Sequence, residues 1–571
     1  MLALRRQAAT DHALATGLAC AFACLILVAI PSCGKKAPPS ETPAGTTGPG
    51  GEPLFGNLGS HHRAITTSVP EAQKYFDQGL VLVFSFNHDE AIRSFQAAAT
   101  LDSTAAMPYW GIAFANGPHI NNAAMDEPHS RAAWQALTAA QLRIGSASEV
   151  ERGLIEALSY RYADPIPADR TPLDQAYAEA MRSLWQKYPQ DSDVGALTAE
   201  ALMDVHPWDL WTQEGLPQDW TQEITSTIET VLKLAPEHPL ANHLYIHAVE
   251  ASPHPERALE SADRLRTLVP GAGHMVHMPA HIYVRLGRWA DAATQNELAV
   301  QADREYRARS PHQAFYRVYM AHNHHFLAWA CQMQGRSEEA VRAAREMIAG
   351  IPPDFLQNFA FFADGYMTIE MDTLMRFGRW EDLLKLAPPP DYLPITGAMR
   401  HATRGVAYAA LGQVDSAKAA QAAFETACLR VTEDMIVGNN PATTVLSIAR
   451  HLLQGEILAR EGKIDEAVAE LEAGVVIEDG LRYNEAPDWL HPIRHALGAV
   501  LVRAERYRQA EQVYRDDLTR NRENGWALNG LALCLRKQKA IQDAEEVETR
   551  FREAWAKADV KITTSCFCQA I

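Results

Sequence analysis

The sequence predicts an all-α protein assembled from repeated helix–turn–helix units. Three observations lead there. Alanine-rich segments with helically spaced apolar residues recur between about residues 70 and 556. Glycine and alanine return at matching offsets inside those segments. The body runs to about 515 residues, more than one ordinary core holds, and no Pro/Gly-rich linker divides it.

In chain order, residues 1–33 come first. Arg5 and Arg6 precede an almost wholly apolar run from Leu14 to Ile30, the layout of a secretory signal. Ile30-Pro31-Ser32-Cys33 resembles the lipobox of bacterial lipoproteins, with Pro31 a departure from it. That resemblance implies export, lipidation of Cys33 and a lipid anchor in the cell envelope. Gly34 rather than Asp after the cysteine implies an outer membrane or periplasmic face in a Gram-negative cell. Residues 34–56 are rich in Pro, Gly, Ser and Thr, and are expected to form a disordered tether.

Residues 57–235 read as N-terminal repeats with insertions. Tyr75–Asp102 is regular, with Gly79, Ala91, Phe95 and Ala98 at repeat offsets; 115–235 is not, being interrupted by Pro207, Trp208, Trp211 and Trp220. Residues 236–350 are histidine-rich repeats. Residues 351–556 return to regularity, with Gly405, Gly412 and Ala417, then Gly455, Gly462, Ala467 and Leu471, then Gly498, Leu501 and Ala510. Residues 557–571 form a tail carrying the C-x-C of Cys566 and Cys568. These units resemble tetratricopeptide repeats, 34-residue helix–turn–helix elements. The resemblance implies helix pairs stacked in a right-handed superhelix, with a concave groove lined by first helices and ligands met at positions 2, 5, 9, 12 and 13.

Ten of the 22 histidines lie between His243 and His325. A register set on Gly287, Ala292, Gly335, Ala340 and Ala258 places His274, His277 and His281 at positions 2, 5 and 9. It puts His322 and His325 at 2 and 5, and His243, His247 and Glu250 at 5, 9 and 12. Seven imidazoles are thus expected to face one groove, while His254, His312 and His324 point elsewhere. Neutral imidazole ligates zinc, copper and iron. The expected site is therefore a transition-metal centre on His243, His247, His274, His277, His281, His322 and His325, with Glu250 as ligand or general base. Glu200, Asp204, His206 and His119 are secondary candidates, with His119 otherwise packing a loop. Cys566 and Cys568 read as a soft-metal pair, a redox pair or an apolar clasp for the tail. His61 and His62, near the tether, are expected to be solvated.

The alternative is a scaffold that binds a peptide or protein partner in the groove without metal, or assembles an envelope complex through its convex face. The formal charge of −18 argues against sequence-independent nucleic-acid binding. Leu244 follows His243, so HLYIHAVE is not the HExxH of zinc proteases, and no G-x-S-x-G, P-loop or dinucleotide fingerprint occurs.

Overall fold

The computed structural model of the protein describes residues 51–569. The expected signal, Cys33 and the tether up to residue 50 lie outside the described residues. The chain divides into two compact units. One holds residues up to 278 together with 301–317; the other holds 279–300 and everything from 318 onward. Each is helical, and the one sheet among the described residues is a two-residue hairpin of Ile436–Val437 on Asn440–Pro441. No described helix is long and apolar enough to cross a membrane.

In the first unit, consecutive helices pack as pairs: Pro70–Phe84 on His88–Leu101, Met107–Ala115 on Glu127–Gln141, Thr171–Lys187 on Ser192–Val205, and Thr221–Leu234 on Pro239–Val249. The second unit repeats the scheme with Pro394–Ala410 on Val414–Cys428, Ala442–Arg460 on Ile464–Asp479, Ile493–Arg503 on Tyr507–Arg520, and Gly525–Lys537 on Ile541–Ala554. The expected all-α, tetratricopeptide-like fold is the one observed. Its close approaches depend on missing side chains. A Cβ at Gly79 would lie 2.6 Å from the Phe95 ring, and one at Gly455 would lie 2.7 Å from Leu471. Gly412 turns its helix pair at φ +76°, where a side chain is strained.

Two expectations are corrected at the front of the first unit. The described end of the tether is docked rather than loose. Tyr75 donates to the Glu52 carbonyl, Gln78 donates to that of Pro53, and Phe55 N–H donates back to Gln78. Nor is His61 solvated: its Nε2 lies 2.9 Å from Asp193 and its ring packs on Phe84 and His238. His62 is the exposed member of the pair.

Residues 115–235, irregular in sequence, still form helices, and the insertions are the loops between them. The 206–220 loop is tied down by its tryptophans. Trp211 donates to the Ala248 carbonyl and Trp220 to that of Asp209. The first of these bonds pins the loop to Pro239–Val249, the helix that carries His243 and His247.

Candidate metal centre

Pro239–Val249 starts with Pro239 in its first turn, and the ring of His238 caps it by accepting from Ala241 N–H. All its residues are buried. A helix with no exposed face must satisfy its polar side chains internally, and His243 and His247, one turn apart, do so in a way that sets their tautomers. His243 Nδ1 lies 2.7 Å from the Phe84 carbonyl. A carbonyl only accepts, so the ring proton sits on Nδ1 and Nε2 carries a lone pair. His247 Nδ1 lies 2.8 Å from Glu250, and the carboxylate imposes the same tautomer. The short helix Gly273–His277 supplies His274, whose backbone N–H is held by the Tyr316 hydroxyl.

These three imidazoles converge. The Nε2 atoms of His243 and His274 are 3.1 Å apart, and His243, His247 and His274 each offer a ligand atom within 4.8 Å of the others. Nitrogen pairs in a tetrahedral site with ~2.0–2.1 Å bonds stand roughly 3.3 Å apart, close to the spacing of His243 and His274. Exposures are 0% for His243, 6% for His247 and 1% for His274. Histidine held on its far nitrogen by a carbonyl or carboxylate is the usual outer support of a metal ligand. Glu250, fully buried, bonds His247 Nδ1 and so acts on that ring.

Phe86 lies against this group. It has a left-handed backbone, φ 56°, and its ring centroid is 4.5 Å from that of His243, 5.3 Å from His274 and 4.5 Å from His119. Trp208, also left-handed at φ 59°, meets His247 edge-on at 5.6 Å. Bulky residues seldom adopt that conformation, and strain of this kind gathers at functional sites. Neither was anticipated, because both lie in loops, where repeat register has no meaning. His88, also unanticipated, bonds the Ala115 carbonyl, and its ring lies tilted 4.4 Å from that of His119. Burial lowers the pKa of His88 to about 4 and that of His119 well below its ordinary value, so both are neutral.

The other expected residues divide between the two units. His277 is buried, its ring 6.0 Å from that of His274. In the second unit, His281 and His322 both pack on Phe326, their own rings 6.1 Å apart, and His322 Nε2 lies 3.0 Å from Glu485. His325 packs edge-on against Tyr366 instead, and burial lowers its pKa to about 3. His254 and His312 are exposed, and His324 lies 3.7 Å from Glu346.

Among the secondary candidates, Asp204 is buried in a 2.6 Å pair with Arg161. Glu200 is buried beside it, and burial raises the pKa of both carboxyls. His206 stacks on Trp220 at 3.7 Å and belongs to none of the converging groups among the described residues. His61, Asp193 and His238 also converge, but Arg63 already supplies their cation, 3.0 Å from Asp193, so that group clasps the front of the unit. Cys566 and Cys568 are buried in the second unit and joined as a disulfide.

No protein-family model matches this chain, and no curated protein matches it. Similar solved structures include the human IFIT1 dimer with m7Gppp-AAAA, at 12% identity over 86% of this chain and 92% of that one, TM-score 0.31. Another is the APC/C hetero-tetramer Cut9–Hcn1, at 11% identity over 86% of this chain and 74% of that one, TM-score 0.29. Scores this low carry no argument about what this chain does.

Proposed function

We propose that this helical-repeat protein holds one transition-metal ion on His243, His247 and His274. The carrying observation is the convergence of three buried imidazoles, two of them fixed by Phe84 and Glu250 so that Nε2 is the ligand atom. Burial weighs against the scaffold reading at these residues, since imidazoles 0–6% exposed cannot touch a docked peptide. Three histidines suit zinc, copper or iron and leave a further coordination position, where water or a small substrate would bind if the centre is catalytic. The chain is further proposed to be exported and lipid-anchored through Cys33; that part rests on the sequence of the first 33 residues alone.

Elemental analysis of protein purified without a histidine tag tests the metal. The expected result is near-stoichiometric metal, lost in His247→Gln and retained in His254→Gln. Metal-free protein that takes up no zinc, copper or iron, with folding intact, would overturn the proposal. Lipid labelling tests the anchor, and unchanged labelling of Cys33→Ser would remove it.

A further inference from the structure

The tail of the second unit carries another convergence. Groups other than sulfur hold the tail to the helices. Arg460 donates to the Cys568 carbonyl, Ser565 donates to the His495 carbonyl, and Gln569 bonds Glu456. The cysteine side chains are buried in the core of this unit. They also meet His491: Cys566 Sγ lies 3.8 Å from His491 Nε2, and His491, Cys566 and Cys568 each offer a ligand atom within 4.8 Å of the others. Exposures are 2%, 1% and 0%.

A further feature points to negative charge there. Beyond the Nε2 that meets Cys566, His491 leaves Nδ1 buried without a hydrogen-bond partner among the described residues. Arg376, 1% exposed, leaves Nε and Nη1 equally unpartnered, although its Nη2 meets His495 and its guanidinium stacks 3.9 Å over Trp526. The carboxylate that acts on Arg376, that of Asp517, is itself taken by His495, Asn521 and Asn524. A buried cation in this state calls for negative charge nearby. Two thiolates holding one monovalent ion carry a net charge of −1, which answers it.

We infer that reduced Cys566 and Cys568, with His491, form a site for monovalent copper. Two thiolates and one imidazole are soft donors, and three donors suit copper(I), whereas structural zinc sites close with four. The disulfide is the unloaded form. A thiol reductant gives it two electrons and two protons, two RSH becoming RSSR while the S–S bond opens to two thiols. Copper(I) then binds as those two protons leave to solvent. This site is separate from the three-histidine centre and stands or falls independently of it.

The test uses the full chain without a tag, reduced anaerobically, desalted, and titrated with copper(I) against the chelator bathocuproine disulfonate. X-ray absorption then reads the neighbours of the metal. The expected result is about one copper with sulfur neighbours, absent in the Cys566→Ser/Cys568→Ser double variant and retained in His247→Gln. His491→Gln should weaken it by roughly tenfold or more. If circular dichroism finds the double variant unfolded, His491→Gln carries the test. Copper without sulfur neighbours, equal uptake by a folded double variant, zinc held in preference at the sulfurs, or a disulfide that survives the reductant would each overturn the assignment.

Discussion

Replacing Glu250 isolates what an outer partner does at residue scale. Its carboxylate holds His247 Nδ1 from a fully buried position, so Glu250→Gln should weaken metal affinity by roughly 10- to 100-fold without unfolding the protein. Competition against a chromophoric chelator measures this; unchanged affinity would leave Glu250 without the supporting role. Buried titratable groups also set opposing responses to pH. His88 has a folded pKa of about 4 against an unfolded value of about 6.5. The unfolded chain then binds more protons, so its stabilisation is complete above about pH 6.5 and is lost as pH falls toward 4. Glu456 runs the other way. Burial raises it to about 7 from an unfolded value near 4.5, so stability is lost as pH rises through that window. Glu456→Gln should accordingly raise stability at pH 8 by an amount on the order of 1–3 kcal/mol, read as a higher thermal midpoint, and change little at pH 4. A midpoint shift independent of pH would contradict this.

Helix pairs are the unit at which small residues matter. Gly79 faces Phe95 so closely that Gly79→Ala must displace the ring, at a cost of about 1–3 kcal/mol. At Gly412 nothing lies within 4 Å of an added Cβ, and only the left-handed φ opposes Gly412→Ala, at about 1 kcal/mol. Denaturant titrations should therefore rank Gly79→Ala as the more harmful. The element scale also explains which histidines sequence could place. His243 and His247 sit one turn apart on a single helix, so spacing alone puts them on one face. Phe86 and Trp208 lie in loops, where no period applies, and His88 opens its helix directly after one. Asp204, a secondary site candidate by sequence, is instead taken up by Arg161, 43 positions earlier in the chain, as a buried ion pair.

For the molecule as a whole, metal that binds the folded chain alone should raise its unfolding temperature, by about 2.7 kcal/mol of stability at a free concentration 100 times Kd. Calorimetry of tag-free protein before and after chelation tests this, with His254→Gln behaving as the parent. The sequence by itself determined the helical repeat fold, because alanine-rich periodicity and recurrent glycines admit no other regular packing. It also determined that histidine concentrates on the helices around residues 243–281. Tertiary structure decided which imidazoles share a point in space, that Phe84 and Glu250 hold the far nitrogens of His243 and His247, and that His491 meets the C-x-C tail. Those partners lie 159 positions apart for His243 and Phe84, and 75 for His491 and Cys566. Helical spacing is local, whereas convergence depends on how successive helix pairs stack.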